Sequence, residues 1–233
     1  MPAPAIATTD GAIDLDTIIR VPYLDAVRGI AALLPHVGVR DSNPQVASVH
    51  VSDERFIATN RHTVARYRHT GATRQADPLA PSHTADPFSV PHEAAAWLVK
   101  QTPKVLGVDA RAGARLTVDF IPGTTTTEGR IRVADADGTA ISVTTFAPIR
   151  GDFPPVWRLL ETWEPASRPH TSAIQADLLS MFATSASKLA SRAKVDPVLI
   201  DLGNDRAHGE SGGPARIRIG DRFDGLLNTL KIA

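Results

Sequence analysis

The pattern most suggestive of catalysis is Gly209-Glu-Ser-Gly-Gly213, which matches the G-x-S-x-G arrangement around the nucleophilic serine of many hydrolases. That chemistry requires a strand that runs into the serine and a helix that leaves it. Here a polar stretch precedes Ser211, and Pro214 with a short predicted strand follows it. A hairpin loop is therefore the favoured interpretation, and a hydrolase that uses Ser211 is kept as the third-ranked hypothesis.

Patterns that would bind metals are incomplete throughout the sequence. His92-Glu93 begins like the helix of a zinc protease, but the residue four positions after His92 is Ala96 rather than a second histidine. Asp135-Ala-Asp-Gly138 suggests a calcium loop, yet no glutamate follows at the position that such a loop requires. The eight histidines are scattered, and no glycine-rich phosphate loop is present. We therefore expect a protein that is not an enzyme and uses no cofactor or metal.

The overall composition restricts how the chain could contact DNA. The 233 residues include 25 Lys and Arg and 25 Asp and Glu, so the formal net charge is zero. A protein that coats DNA tightly is usually basic, because its affinity comes from neutralising phosphates. The balance argues against tight direct binding. It permits a protein that surrounds DNA and touches it loosely, provided that its charges are segregated in space.

The sequence also indicates a cytoplasmic protein without a membrane anchor. No stretch approaches the roughly 20 apolar residues that span a bilayer. Residues 1–17 carry three Asp and no Lys or Arg, so they lack the basic start of a signal peptide and predict a flexible arm. The absence of Cys excludes disulfides and is compatible with a reducing compartment.

Three segments of the chain share one order of predicted elements: a short extended opening, an amphipathic helix, and two or more strands. Helices that bury one face on such strands predict an α+β fold with helices on one face of antiparallel sheets. The first segment has an opening strand 17–22, a helix 23–34, a strand 45–51 and a pair of strands around a tight turn in 55–68. The second has an opening strand 88–91, a helix that ends before Pro103, and strands 115–121, 129–134 and 140–147. The third has an extended opening near 172–174, a helix reaching Leu189, strands 197–202 and 215–219 separated by a polar loop 203–214, and a last strand 223–232.

Three motifs in the same order resemble those of the bacterial DNA polymerase III beta sliding clamp family. Residues 56–65, F-I-A-T-N-R-H-T-V-A, are similar to the family's T-D-G-H-R-L-A signature, with Asn60 for Asp and Arg61 for Gly. Residues 150–160, R-G-D-F-P-P-V-W-R-L-L, resemble its G-x-[FY]-P-x-[YW] interdomain segment and are the most specific match. Residues 223–232, F-D-G-L-L-N-T-L-K-I, resemble its closing strand, with Asn228-Thr229 in place of Met-Pro.

The resemblance implies a shortened clamp, of a kind that a phage or mobile element could carry. Clamps of this family have three domains of two repeat units each, whereas this chain has three units. We expect residues 18–165 to form one complete domain and residues 166–233 to form half of another. Counting units, a ring of twelve would need four such chains, with half-domains pairing between subunits.

The implied function is that of a processivity factor that encircles double-stranded DNA without reading its sequence. Such a ring would be homo-oligomeric and would present cations on its inner helices to the phosphates. Lys and Arg late in a helix also complement the helix dipole, which explains several of them equally well. His62, Arg66 and Arg68 cluster with one candidate around a strand turn and could touch DNA at the rim, or simply be solvated. The candidate DNA-binding residues are Arg28, Arg61, Lys100, Lys104, Lys188, Arg192 and Lys194.

The resemblance also implies a hydrophobic cleft for short peptides of DNA polymerases and the clamp loader. Apolar walls would supply the buried area, and Arg158 could bond a peptide carbonyl or carboxylate. The alternative is that Val64, Leu159 and Leu226 are simply core residues. A runner-up function is a clamp-fold interaction module that binds clamp ligands without encircling DNA. The candidate cleft residues are Thr59, His62, Val64, Pro154, Arg158, Leu159, Leu226 and Leu230.

Overall fold

The computed structural model describes residues 18–69, 87–106, 115–123, 126–166, 173–190, 196–204 and 211–229. The predicted arm 1–17 lies outside these residues. The first segment contains β1 (Ile19–Pro22), α1 (Tyr23–Leu33), a 3-10 turn (Leu34–His36), β2 (Ser48–Val51), β3 (Arg55–Thr59) and β4 (Thr63–Arg68). The second contains β5 (Phe88–Pro91), α2 (His92–Leu106), β6 (Thr117–Ile121), β7 (Gly129–Ala134) and β8 (Ala140–Phe146). The short helix α3 (Trp157–Glu161) precedes the third segment, which contains α4 (Ala176–Leu189), β9 (Val198–Asn204), β10 (Ser211–Ile219) and β11 (Phe223–Leu227).

The strands form two antiparallel sheets in which the first two segments exchange their opening strands. One sheet has the order β1-β6-β7-β8, so the opening strand of the first segment joins the strands of the second. The other has the order β5-β2-β3-β4-β11-β10-β9, so β5 joins the strands of the first segment in return. The third segment extends that sheet through the antiparallel pairing of β4 with β11. The exchange joins the first two segments into one folded body.

The helices α1, α2 and α4 form one layer, with α1 in the middle. α1 packs against both α2 and α4, and it covers β3 and β4 of one sheet and β6 of the other. Its apolar residues recur at helical spacing, and Tyr23, Ile30 and Leu33 are fully buried. The two sheets also meet directly, because the rings of Phe56 and Phe120 lie 5.5 Å apart. The predicted α+β fold with helices on one face of antiparallel sheets is confirmed.

A buried ion pair fixes the junction between β4 and β11. Arg66 lies opposite Asp224, and its Nε and Nη2 donate to the two carboxylate oxygens at 2.9 and 2.8 Å. Arg216 donates to the same carboxylate at 2.7 Å, and Arg68 lies 3.8 Å away. Burial alone would raise the pKa of Asp224, but the arginines outweigh it and hold that pKa below its ordinary value.

A buried histidine ties the helix layer to this junction. The ring nitrogens of His36 lie 3.0 Å from Thr63 Oγ1 on β4 and 3.0 Å from Ser185 Oγ on α4. The hydroxyl of Ser185 also donates to the carbonyl of Ala32 at the end of α1. Burial lowers the pKa of His36 to about 3, so the ring is neutral at physiological pH.

Several predicted boundaries were wrong. α2 does not end before Pro103 but continues to Leu106, because a proline removes only one backbone donor and the helix resumes for a further turn. The predicted loop 203–214 begins and ends in strand, since β9 reaches Asn204 and β10 begins at Ser211; residues 205–210 lie outside the described residues. The predicted strand 223–232 ends at Leu227 within the described residues. Within the predicted extended opening near 172–174, Ala173 forms a β-bridge, and residue 172 lies outside the described residues.

Candidate peptide-binding and nucleic-acid surfaces

A small apolar cluster covers the outer face of the seven-stranded sheet, opposite the helix layer. Side chains alternate between faces along a strand. Phe56 and Ala58 of β3 face the main core under the helices, whereas Ile57 faces outward with Val64 of β4 and Leu226 of β11. Leu160 of α3 covers these three and is only 2% exposed. The outer face therefore has its own core, built from the first and third segments and capped by the 153–163 segment.

Three contacts fix the start of that capping segment. Gly151 turns the chain with φ of 87°, a conformation that residues with a Cβ adopt rarely. The side-chain amide of Gln45 donates to the carbonyl of Arg150 at 3.0 Å and to the carbonyl of Gly151. Phe153 stacks on His50 with ring centroids 4.5 Å apart. Burial, with a smaller effect of Arg55, lowers the pKa of His50 to about 4.

Aromatic residues fix the end of the segment. The guanidinium groups of Arg55 and Arg158 lie 5.1 and 5.3 Å from the ring centroid of Trp157, which is cation–π geometry. Trp163 donates its indole N–H to the carbonyl of Pro214 at 2.8 Å. α3 is thus held to β3 on one side and to β10 on the other.

The predicted cleft residues divide into a buried and an exposed group. Thr59, Val64 and Leu226 are buried, with Val64 paired with Thr59 on β3 and with Leu226 on β11. Pro154 is half-buried, and His62, Arg158 and Leu159 are exposed, the last with 54% of its surface accessible. Leu230 lies outside the described residues. The structure therefore brings Thr59, Val64 and Leu226 together beneath α3, which presents Arg158 and Leu159 outward.

Six residues of this cluster were not among the predicted cleft residues. They are Ile57, Phe153, Val156, Trp157, Leu160 and Trp163. The alternation along β3, which places Ile57 on the face of Thr59, could have indicated the first. The burial of Leu160 depends on the direction in which α3 approaches the sheet. A helix of five residues is too short for its sequence periodicity to specify that direction.

The predicted DNA-binding cations of the helix layer are exposed where the structure describes them. Arg28, Lys100 and Lys188 are exposed on α1, α2 and α4. Exposed acids, Glu93 and Asp177, lie in the first turns of α2 and α4. Lys104 lies in α2, but its side chain is outside the described residues, as are Arg192 and Lys194. The described layer is therefore only weakly cationic, and only Lys188 of its described cations lies in the last turn of a helix.

Two of the predicted rim cations at and after the β3–β4 turn, Arg61 and Arg66, form ion pairs with acidic side chains. Arg61 is exposed with φ of 72° and forms an ion pair with Asp41, at 2.5 and 2.8 Å. The hydrogen bond to Arg61 lowers the pKa of Asp41. The expectation that Arg66 touches DNA is wrong, because Arg66 is 4% exposed and pairs with Asp224. Alternation along β4 places Arg66 on the outer face with Val64, and the ion pair with Asp224 on the next strand keeps it buried there.

The described residues do not have the arrangement that the hydrolase hypothesis or a metal site requires. Ser211 begins β10, opposite Asn204 in a hairpin, and no helix follows it. Across the described ranges, no group of three or more His, Asp or Glu side chains could hold a metal ion. None of the helices in these ranges is both long enough and apolar enough to cross a bilayer.

The fold defined by these sheets and helices is that of the DNA sliding clamps. The beta sliding clamp of C. crescentus, solved with PEG bound, is 13% identical over 100% of this chain and 69% of its own, with a TM-score of 0.53. The DNA polymerase sliding clamp of Pseudomonas aeruginosa is 14% identical, covering 100% and 70% of the two chains, with a TM-score of 0.52. The DNA polymerase III beta subunit of Thermotoga maritima is 11% identical, covering 93% and 65%, with a TM-score of 0.53. No protein-family model and no curated protein matches this chain.

Proposed function

We propose that this protein is a non-catalytic DNA sliding clamp: a cytoplasmic processivity factor that encircles duplex DNA and tethers other proteins to it. The observation that carries the proposal is the joint placement of two surfaces. One contiguous layer of helices covers one side of the sheets, and the 153–163 segment meets the closing strands β4 and β11 on the other side. The clamp fold of the structural neighbours supports the same interpretation.

The helix layer is the proposed inner wall. Contacts to phosphates position a protein without specifying sequence, so a few cations on a rigid wall are sufficient for sliding. Arg28, Lys100 and Lys188 are proposed to make these contacts, together with Lys104, Arg192 and Lys194. Their number accords with a chain of zero net charge that holds DNA by enclosure rather than by affinity. Arg61 is proposed to contribute only after it leaves Asp41.

The outer cluster is the proposed docking site for peptides of a replicative polymerase and a clamp loader. Leu159 and Arg158 supply an exposed apolar contact and a guanidinium, and the exposed His62 of the β3–β4 turn is proposed to contribute to the same cleft. Thr59, Val64, Pro154 and Leu226 form its floor, with Leu230 as a further wall. A peptide would bury Leu159 and bond Arg158. Residues 18–165 are proposed as a complete clamp domain and residues 166–233 as half of one.

The DNA-encircling function is tested on circular DNA. Purified protein is loaded with a clamp loader onto a nicked plasmid, and bound protein is separated from free protein by gel filtration. A closed ring stays on the circle and is released when a restriction enzyme linearises it. Equal loss from both forms contradicts encirclement. The variant Arg28→Ala/Lys100→Ala/Lys188→Ala is expected to leave the circle faster than wild type, because a ring with fewer phosphate contacts opens and diffuses more readily.

The peptide-binding function is tested by fluorescence anisotropy with a labelled clamp-binding peptide of a bacterial replicative polymerase. Leu159→Ala and Arg158→Ala are each expected to weaken binding about tenfold, corresponding to about 1.4 kcal/mol. Val39→Ala is the matched control, because Val39 is an exposed apolar residue outside every described strand and helix. Unchanged affinity in both cleft variants would contradict the assignment.

A clamp-fold interaction module is the second candidate function. The described helix layer favours it, since two exposed acids accompany the three exposed cations. Such a module would bind the labelled peptide but remain monomeric at micromolar concentration and leave circular and linear plasmids alike. Light scattering beside the plasmid assay therefore distinguishes the two candidates.

A further inference from the structure

Each of the three repeated segments ends in a closing strand, and two of these strands pair with each other. β4 closes the first segment and β11 closes the third, and they run antiparallel with Val64 opposite Leu226. This pairing merges the strands of two segments into one sheet of seven. β8 closes the second segment and lies at the edge of the four-stranded sheet. It is the equivalent strand in the fold, and its partner is not part of this chain's described sheets.

β8 lacks the features that usually keep an edge strand from pairing with another chain. Its sequence is A-I-S-V-T-T-F, seven residues without a charge or a proline. Ile141 and Val143 lie on one face and are 50% and 47% exposed. Soluble proteins usually protect their edge strands with charges, prolines or short length, because an open edge is a template for pairing with another chain.

The other sheet edges in the described part of the chain have such protection. β1 and β5 are four residues long, and each ends in a proline, Pro22 or Pro91. β9 carries Asp201, and the isolated bridge between Pro165 and Gly203 occupies part of its outer edge. β8 is therefore the long, uncharged exception among these four edges.

We propose that β8 pairs antiparallel with β8 of a second copy of this chain across a two-fold axis. β4 and β11 are already paired with each other within the chain. The closing strand still available to pair with β8 is therefore β8 of another molecule. A two-fold interface uses the same surface on both subunits and closes after two copies. With Val143 opposite its own counterpart, Ile141 lies opposite Thr145, and no like charges meet. The pairing converts two exposed apolar residues per chain into buried cross-strand contacts.

The helix layer supports the same geometry. At the β4–β11 junction, α1 and α4 pack against each other on one side of the joined sheet. α2 packs against β8 in the corresponding position. Pairing of two β8 strands would therefore bring the α2 helices of the two copies side by side and continue the layer across the junction. Seven-residue strands supported by helices form a more stable junction than an isolated pair of strands.

The inference deepens the proposed ring, on which it rests for its biological purpose. An odd number of repeated segments gives the chain two unlike ends, a closing strand at β8 and a post-helix strand at β9. When β8 of one chain pairs with β8 of another, the β9 ends must also join each other, so a closed ring contains an even number of chains with alternating two-fold junctions. Head-to-tail joining, with β8 of one chain against β9 of the next, is incompatible with this arrangement.

The experiment uses paired charge substitutions in the full-length chain. Val143→Asp places an acid opposite itself at the axis, and Val143→Lys places a base opposite itself. Each variant alone is expected to raise the dimer dissociation constant at least tenfold over wild type in sedimentation equilibrium. An equimolar mixture is expected to recover the wild-type constant or a lower one, because Asp then faces Lys. Val39→Asp, at an equally exposed site outside every described strand, is expected to behave as wild type.

A covalent readout gives an independent test, since the chain has no cysteine. Val143→Cys is expected to form a disulfide-linked dimer under mild oxidation, because paired strands bring opposite Cβ atoms within bonding range. Val39→Cys under the same conditions is expected to stay monomeric. The proposal is overturned if wild type stays monomeric at 100 times the protein concentration used in sedimentation equilibrium. It is also overturned if the mixture of Val143→Asp and Val143→Lys dimerises no more tightly than either variant alone.

The two proposals fail in distinguishable ways. Protein that dimerises through β8 but leaves circular plasmid freely would contradict the clamp function and keep the β8 pairing. Protein that is retained on circles while Val143→Asp assembles normally would keep the clamp and overturn the pairing. Circular dichroism of each variant confirms that the fold is intact, because β8 lies at a sheet edge and Val143 faces solvent.

Discussion

Removal of the Asp224 carboxylate charge is expected to destabilise the whole fold, because it leaves a buried arginine without a counter-ion. In Asp224→Asn, Arg66 keeps its buried position between β4 and β11 but loses a bidentate partner held at 2.8 and 2.9 Å. Breaking a buried pair by removing one partner costs about 3–5 kcal/mol. With a urea m-value of about 2 kcal/mol per molar, the unfolding midpoint should fall by roughly 2 M. Urea titrations monitored by circular dichroism measure this shift.

The matched control is the exposed pair of Arg218 and Asp201 on β10 and β9, joined at 2.8 Å. Asp201→Asn is expected to cost at most about 1 kcal/mol, because solvent screens exposed ion pairs. The pH dependence provides a second readout. The arginines lower the folded-state pKa of Asp224, so its contribution is present above the ordinary Asp pKa and is lost as the pH falls through the folded-state value. Equal midpoint shifts in the two variants would refute the claim that the buried pair holds this junction.

Three further predictions concern packing and protonation. Leu160→Ala should cost about 2–4 kcal/mol in urea titrations because Leu160 fills the outer cluster, whereas Leu159→Ala should stay within about 0.5 kcal/mol; equal costs would contradict the burial pattern. As the pH falls below about 6.5, wild type should lose stability at up to about 1.4 kcal/mol per pH unit, since unfolded His36 takes up a proton that the folded ring, with its pKa near 3, does not; His36→Gln should show a shallower slope, and an identical slope would refute this. Gly29→Ala should lower the thermal midpoint despite the higher helix propensity of alanine, because the added Cβ meets the ring of Tyr67, and a raised midpoint would show that the ring moves aside.

Periodicity predicted the elements of the fold well where the chain alternates or repeats regularly. β3 and β4 match the predicted pair of strands in 55–68, and α2 directly follows the predicted opening strand 88–91. The predicted end of α2 at Pro103 failed because a proline removes only one backbone donor, and α2 continues to Leu106 despite that loss. The polar residues before Pro214 concealed the first part of β10, since a hairpin strand with one open face needs little apolar sequence.

The candidate site could be predicted only in part, for a similar reason. The 150–160 motif indicated a segment that meets the last strand, and the structure places Leu160 against Leu226 there. The segment that carries α3 is anchored by stacking of Phe153 on His50, a contact between residues about 100 positions apart that sequence periodicity does not reveal. The burial of Arg66 likewise depends on Asp224, which is remote in sequence and adjacent only through sheet register.

Single-particle electron microscopy of the assembled protein tests the central claim most directly. The account predicts a closed particle with a central hole wide enough for a DNA duplex, with α1, α2 and α4 facing the hole and the 153–163 segment on the outer surface. An open or solid particle, or one whose helix layer faces away from any shared hole, would contradict it.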